Sequence, residues 1–190
     1  MAVPVPHTFT AGDNATSAVM QTLTDSALWN LGSTTSTGAR QPLTRLRQTI
    51  AQSPATATWT AVTFDTEDVD YDSGHSTTIN PSRYTAVTAG WYSVSAVLWF
   101  TGNATGGRFG ALAVNGSGGA SLTGGISGSE VGHATVPNSG NLSIPIPEQL
   151  VHLNASDYVE LYAFQNSGGA LATIVSGLTQ PCLNITWISN

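Results

Sequence analysis

An all-β fold is predicted by the spacing of apolar side chains and turn residues along this 190-residue sequence. From residue 55 onward, short runs of alternating apolar and polar residues follow one another, and clusters of Gly, Pro, Asn and Ser separate them. No helical periodicity interrupts this part of the chain. Such strands are buried when two antiparallel sheets pack as a β-sandwich, and a jelly roll is the most economical arrangement. A short N-terminal helix and an extended arm are predicted to precede the sandwich.

The N-terminal segment, residues 1–32, is predicted to form this arm and one amphipathic helix. Two prolines and no helical period make residues 1–12 extended, and Asp13 or Asn14 can cap a helix that runs to about Leu28. A single helix of this length is marginally stable in isolation, so we expect its apolar stripe to dock on trimer mates or on a larger assembly. The side chains predicted to anchor the chain in this way are Phe9, Val19, Leu23, Leu28 and Leu31.

Residues 33–54 are predicted to form a linker and an extended strap. A Ser- and Thr-rich stretch comes first, and residues 42–50 then alternate well enough for a strand or a strap. Arg40, Arg45 and Arg47 lie close together here and form either a small basic patch against an acidic partner or, more commonly, a solvated strand face. The sandwich domain is predicted to span residues 55–190.

The longest predicted strand, residues 89–100, is rich in aromatic and β-branched side chains. Side chains alternate between the two faces of a strand, so one face is apolar throughout and is expected to lie in the core. The other face begins with Trp91 and ends with Trp99, and it is not expected to face open water. A second layer must therefore cover it, and in a chain this short that layer can be another copy of the protein.

Shorter runs on either side of this strand complete the predicted sandwich. Asn115-Gly116 is a strong hairpin signal, and the prolines within 142–147 place that run at a sheet edge. Half of the 20 glycines lie between Gly102 and Gly128, which predicts the most loop-like part of the chain and a variable surface. The remaining predicted strands are 57–64, 79–87, 108–114, 157–165 and 183–189.

Composition excludes several classes of function. Only 8% of the residues are charged, the sequence contains no lysine, and the net charge is −6. Because binding to phosphates needs clustered Lys and Arg, we expect no nucleic-acid partner, and without lysine there is no Walker-type loop or Schiff base. No signal peptide and no apolar run of membrane-spanning length are found, which predicts no membrane insertion. A low-charge surface rich in Gly, Ser and Thr suits an extracellular particle better than a soluble enzyme.

The acidic run at residues 65–75 is the densest cluster of potential metal ligands. Asp68, Asp70 and Asp72 alternate as the first ligands of a calcium loop do. The rest of that pattern fails, because the glycine falls at Gly74 instead of position 73 and Ile79 occupies the place of the closing glutamate. These residues are weak calcium candidates, and a solvated acidic turn is the simpler interpretation. No other cofactor is predicted.

Nothing in the sequence favours catalysis. The four histidines have no ligand spacing, no Gly-x-Ser-x-Gly motif occurs, and nearly half of the carboxylates lie in one short run. The single cysteine, Cys182, cannot form a disulfide within the chain and is interpreted as a small buried hydrophobe, with a reactive thiol as the alternative. The sequence therefore predicts a protein that is not an enzyme.

Four segments resemble the jelly roll of complement globular heads and tumour necrosis factors: residues 64–67, 80–83, 88–94 and 153–161. In that family an aromatic strand follows an "aGlY"-like turn, and an "l-x-a-x-D-x-V-x-l"-like strand comes later. Trp91 stands where leucine or isoleucine is commoner. The resemblance covers about residues 55–190. Residues 6–12 are similar, more weakly, to a segment that precedes a short helix and this jelly roll in structural proteins of tailed bacteriophages.

The resemblance implies a compact homotrimer whose subunits pack through the aromatic faces of one sheet. It also implies a non-enzymatic virion structural protein, anchored by its N-terminus to other phage structural proteins, assembled in the host cytoplasm and displayed on the virion surface. The leading version is a minor tail or fibre-tip protein that contacts a host cell-surface glycan or protein. The alternatives are a capsid decoration or head-fibre protein and a free lectin-like trimer, which a helix without an internal partner disfavours. The implied interface residues are Trp91, Trp99, Tyr158, Tyr162 and Phe164.

Overall fold

The computed structural model describes residues 8, 10, 16–31, 40–134 and 140–190. One helix, α1 (Ser17–Asn30), precedes the strands. The strands are β1 (Leu43–Arg47), β2 (Thr60–Ala61), β3 (Thr66–Asp70), β4 (Arg83–Thr85), β5 (Gly90–Phe100), β6 (Arg108–Ser117), β7 (Thr123–Gly125), β8 (Val131–His133), β9 (Leu142–Leu153), β10 (Tyr158–Gln165) and β11 (Cys182–Ser189).

The strands form two antiparallel sheets packed as a sandwich, which confirms the predicted all-β fold. The first sheet has the order β3-β1-β11-β5-β9. The second has the order β2-β10-β6-β7, with β4 also paired to β10 and β8 paired to β6. The strand with the two prolines, β9, lies at an edge of the first sheet, as predicted, because proline cannot supply the N–H that an inner strand needs.

The long strand β5 has the two faces predicted from its sequence. Its core face is fully or almost fully buried at every position from Tyr92 to Phe100, and it packs against the inner faces of β6 and β10. The other face is more open, and Trp91 is 45% exposed. One face of β5 is thus filled by the core. On the opposite face Trp91 stays open near the helix, whereas residues 177–180 lie beside Arg47 and Val97 at the far end of the strand.

The sandwich begins earlier than the predicted boundary at residue 55. Strand β1 lies inside the first sheet, where it pairs with β11 and β3, and Leu46 is fully buried opposite Leu183. Arg45 and Arg47 point outward and alternate with the inward side chains Thr44 and Leu46. The alternation in residues 42–50 therefore marks a structural strand of the domain and not a strap outside it.

The glycine-rich region contains more strand than the sequence predicted. Strand β6 continues through Asn115 and Gly116 to Ser117, so the hairpin turn lies later, at residues 118–122. Asn115 has a positive φ of 49°, and its side chain accepts a hydrogen bond from the Tyr158 N–H and donates one to Asp157. Asn115-Gly116 therefore forms a bulge in a continuing strand and not the predicted hairpin turn. The reason is that the side chain of Asn115 is held by β10 and by the turn that precedes it.

Close packing explains the glycine at the start of this turn. The backbone of Gly118 lies against Trp59, whose N–H bonds to the Gly119 carbonyl at 2.7 Å. A Cβ at Gly118 would lie 2.1 Å from the Trp59 carbonyl oxygen. We expect Gly118→Ala to lower the free energy of unfolding by about 1–2 kcal/mol, because two backbones must separate. Urea unfolding would measure this, and Gly169→Ala, where a Cβ meets nothing within 4 Å, is the control.

The helix is capped and partnered differently from the prediction. Its N-cap is Thr16, whose Oγ1 accepts a hydrogen bond from the Val19 N–H at 3.3 Å. Trp29, which was not among the predicted docking residues, is fully buried and packs edge-to-face on Trp187 with ring centroids 6.0 Å apart. The helix thus has an internal partner at the end of the sandwich where β5 begins, here named the helix end.

The predicted anchor residues do not form one buried stripe. Val19, Leu23 and Leu28 are half-buried, whereas Leu31 is 81% exposed. Phe9 lies outside the described residues. No helix in the described ranges is long and apolar enough to span a membrane. The largest buried side chain of α1 is therefore in the tryptophan pair.

We expect Trp29→Ala to release α1 from the sandwich without unfolding the sheets, because the contact lies at one end of the core. Amide hydrogen exchange should become fast in Ser17–Asn30 and stay slow in β5. Trp29→Phe keeps an aromatic ring and removes an indole N–H that has no partner, so it should keep the helix protected. Protected helix amides in the alanine variant would contradict this role for Trp29.

Candidate oligomer interface

The outward side chains of β1, β11, β5 and β9 form one surface, named here the outer sheet face. Strand register places Leu43 beside Thr186 and Ser93, and Arg47 beside Cys182 and Val97. On the other side of β5, register places Trp91 opposite His152 and Ser93 opposite Leu150. The surface is thus assembled from four strands that are distant in sequence.

Large apolar side chains are exposed on the outer sheet face. Leu150 is 65% exposed, Ile188 51%, Trp91 45% and Leu43 37%. The indole of Trp91 packs edge-to-face on His152 with ring centroids 5.5 Å apart, which fixes its position. Several exposed large hydrophobes on one sheet face are typical of a surface that another protein covers.

The charged groups of this face lie at its margins. At the β1 side, Arg47 forms a fork with Asp68 at 2.6–2.8 Å, and Arg45 approaches the same carboxylate at 3.3 Å. The hydrogen bond from Arg47 holds the pKa of Asp68 below its usual value. At the β9 side, Glu148 accepts a hydrogen bond from Ser93 at 2.7 Å. A polar margin around aromatic side chains is the usual anatomy of a protein interface.

The five side chains predicted for one interface lie on two different sheets. Trp91 and Trp99 belong to the outer sheet face, whereas the other three point outward from β10 in the second sheet. Tyr162 is 3% exposed, and Phe164 packs against Trp59 with ring centroids 5.2 Å apart. A single face containing all five does not form, because β5 and β10 belong to opposite layers. The interface role of Trp91 and Trp99 stays a prediction.

Strand β10 instead carries a closed polar cluster on its outward side. The carboxylate of Glu160, which is 2% exposed, accepts hydrogen bonds from Ser82 at 2.6 Å, Arg83 at 3.2 Å and Tyr162 at 2.7 Å. The guanidinium of Arg83 lies 3.9 Å above the ring of Tyr158. Burial raises the pKa of Tyr162, so its hydroxyl stays a donor. These groups bind one another and hold the second sheet to the segment before β4.

The three weak calcium candidates have separate partners. Asp68 binds the arginines of β1, Asp70 accepts hydrogen bonds from Thr44 and from two backbone N–H groups, and Asp72 accepts one from the Tyr84 hydroxyl at 2.9 Å. Within the described ranges, no group of three His, Cys, Asp or Glu residues is placed to hold a metal ion. The acidic run functions here as a set of hydrogen-bond acceptors for neighbouring loops.

Asp72 is the most perturbed carboxyl of this run. It is 8% exposed, and one of its oxygens has no hydrogen-bond partner. Burial raises its pKa to about 6, and the hydrogen bond from Tyr84 only partly offsets this. Nearby, the buried ring of His75 contacts Glu67 through Nδ1 at 2.8 Å and the Pro81 carbonyl through Nε2 at 3.1 Å. This network joins residues 71–75 to β3 and β4.

Comparisons with known proteins show the fold. No model of a protein family matches the sequence, and no curated protein matches it. Among solved structures, the globular domain of zebrafish complement 1qA protein is similar, with a TM-score of 0.56 and 14% identity, over 79% of this chain and 100% of that one. This chain has the same jelly-roll fold. The structure of murine APRIL at pH 5.0 is similar over 77% of this chain and 99% of that one, with a TM-score of 0.55 and 11% identity.

The predicted resemblance to this type of jelly roll is thus confirmed at the level of the fold. Identities of 11–14% carry no further conclusion about activity or partners. The comparisons give no support to a bacteriophage origin, which stays a prediction.

Several residues of the outer sheet face were missed in the sequence. Residues 149–153 continue β9 beyond its prolines, but their order, Gln-Leu-Val-His-Leu, does not alternate between apolar and polar side chains. The sequence therefore contains no clear signal that Leu150 and His152 face outward beside β5. Leu43 and Ile188 lie near the ends of their strands, where periodicity alone does not distinguish a sheet residue from a loop residue.

Proposed function

We propose that this chain is a non-enzymatic structural and binding protein that acts as a homotrimer, with three copies packed through the outer sheet face. The observation that carries the proposal is the 45% exposure of Trp91 among Leu43, Leu150 and Ile188, on a sheet whose opposite face already holds the core. Covering these side chains with a second and a third copy would remove a large apolar surface from water.

A non-enzymatic role is supported by the way polar groups are used in the described part of the chain. The buried carboxylate of Glu160 is occupied by three donors, and Asp65 accepts hydrogen bonds from Thr49 and from the Ile50 N–H. The cavity of about 290 Å³ beside Ile50 and Phe64 is lined mainly by apolar groups and by this engaged carboxylate. Nothing there combines a free nucleophile with a base.

We further propose that the trimer belongs to a phage particle, as a minor tail or fibre-tip protein or, alternatively, as a capsid decoration or head-fibre protein. The support is the resemblance of residues 6–12 and the lysine-free, low-charge composition. The helix end would face other virion proteins. Strand β5 extends about 35 Å from there to the loops 101–107 and 166–181, which would face a host glycan or protein.

A free lectin-like trimer is the second candidate, and the tryptophan pair favours it. The sequence disfavoured this function because the helix lacked an internal partner. In the structure Trp29 is fully buried on Trp187 of the same chain. The helix therefore does not need a particle to cover its most apolar side chain.

Light scattering on the purified protein tests the trimer. We expect a mass three times the 19.6 kDa of the chain, maintained on dilution to micromolar concentration. A well-behaved monomer at all concentrations would contradict the proposal.

Particle attachment has its own test. The full chain and a chain lacking residues 1–31 would be compared for incorporation into particles of the phage that encodes the protein. Incorporation of the full chain alone supports the anchor. Equal incorporation would refute an N-terminal anchor, and detection in no particle would favour the free trimer.

A further inference from the structure

The outer sheet face has opposite charges at its two margins, at the same level along the strands. Arg45 lies beside Asn184 on β11, which lies beside Ser95 on β5. The β5–β9 pairing is irregular between Val94 and Ala96, and residues 147–148 of β9 lie opposite this irregularity. One row across the sheet therefore has Arg45 on β1, next to the edge strand β3, and Glu148 on the opposite edge strand β9.

Neither of these two charges is fully paired within the chain. Asp68 already receives a fork from Arg47, and Arg45 approaches it with a single nitrogen at 3.3 Å while its side chain stays 57% exposed. Glu148 is exposed, accepts a hydrogen bond from Ser93, and has no ion-pair partner in the described ranges. On the β1 side of this face, Arg45 and Arg47 share the carboxylate of Asp68. On the β9 side, the carboxylate of Glu148 has no cationic partner in the described ranges.

The two groups cannot meet inside one subunit. Three strand spacings separate β1 from β9, which is about 14 Å between backbones. A rotation about an axis parallel to the strands keeps each residue at its level, and it brings the β9 edge of one copy against the outer sheet face of the next on the side of β1, inside the edge strand β3. The opposite charges then meet at the same height beside the apolar centre of the face.

We propose that Glu148 of one subunit pairs with Arg45 of the next, so that the three subunits of the ring contact one another head to tail. This inference rests on the proposed trimer and names the residues that set its direction. In a head-to-tail contact the two partners contribute different patches, and a closed ring results when the rotation closes. The charge pairs at the rim would select this arrangement over others that place like charges together.

Charge reversal tests the pairing. Arg45→Glu and Glu148→Arg are each expected to raise the concentration at which half of the trimer dissociates by about tenfold or more, because like charges then face each other. The double variant should return to within about threefold of the wild-type value. Glu130→Arg makes the same change in net charge as Glu148→Arg, at an exposed site between β7 and β8, and it should leave the trimer unchanged.

A covalent test reports the direction of the contact. Arg45→Cys and Glu148→Cys would be combined in a Cys182→Ser background and oxidised. Because disulfides need Cα atoms about 4.4–6.8 Å apart, the pair cannot close within one subunit. Head-to-tail packing yields a covalent trimer on a non-reducing gel, and face-to-face packing about a twofold axis yields a covalent dimer instead.

The outcomes separate this inference from the trimer itself. If the wild type is a trimer and neither single reversal dissociates more easily than Glu130→Arg, the pairing is refuted and the trimer is not. The pairing is refuted in the same way if the trimer of the double variant dissociates as easily as that of the weaker single variant. The absence of covalent trimer from the double-cysteine protein, while wild type is trimeric, refutes it independently. A monomeric wild-type protein overturns both proposals.

Discussion

Trp91→Glu is expected to turn the trimer into a folded monomer. The side chain is 45% exposed on the outer sheet face and contributes nothing to the core between the sheets, so the monomer should lose little stability. In the trimer the same position would be desolvated, and an unpaired carboxylate there is costly. Interface tryptophans are often hot spots, and we expect at least about a hundredfold rise in the trimer dissociation concentration. Light scattering across a dilution series measures it.

Two matched variants control this experiment. Trp91→Phe keeps an aromatic ring beside His152 and should remain trimeric at the same concentrations. Ile79→Glu places the same charge at a residue that is 73% exposed but lies in the loop before β4, away from the outer sheet face. If Ile79→Glu also dissociates the trimer, or if Trp91→Glu leaves it intact, this face is not the interface.

Asp72→Asn is expected to stabilise the protein at alkaline pH and to have little effect in acid. Burial raises the pKa of Asp72 from 3.8 to about 6, so the folded state binds its proton more tightly than the unfolded chain does. The contribution of Asp72 to stability is therefore greatest below pH 4 and is lost as the pH rises through 6. Asparagine stays neutral and can still accept the hydrogen bond from Tyr84. At pH 8 the gain should be about 1–3 kcal/mol.

Urea unfolding of both proteins at equal concentration between pH 4 and pH 8 measures this difference. Asp65→Asn is the control of opposite sign: although burial would raise the pKa of Asp65, hydrogen bonds from Thr49 and Ile50 hold it below the usual value. Its contribution is present above pH 4 and lost in acid, so Asp65→Asn should destabilise the protein at neutral pH. A destabilised Asp72→Asn at pH 8, or a gain that does not shrink in acid, would show that the buried carboxylate is not a cost.

Local alternation predicted much of the fold correctly. Both faces of β5 and the edge position of β9 followed from residue types alone, since side chains alternate on every strand and proline cannot donate to a neighbouring strand. Where the prediction was wrong, a distant contact decided the outcome. Asn115-Gly116 forms a bulge because the side chain of Asn115 contacts Asp157 and Tyr158. Residues 43–47 lie in the first sheet because β11 pairs with them.

The candidate interface shows the same division. By itself the sequence determined that this is an all-β chain with few charges, with one long strand that is apolar on its core face and bounded by tryptophans on the other. Only the tertiary structure decided that Tyr158, Tyr162 and Phe164 lie on the opposite layer from Trp91, and that Trp29 packs on Trp187. The physical reason is that periodicity specifies the two faces of a strand, whereas strand order and register specify which faces are joined into one surface.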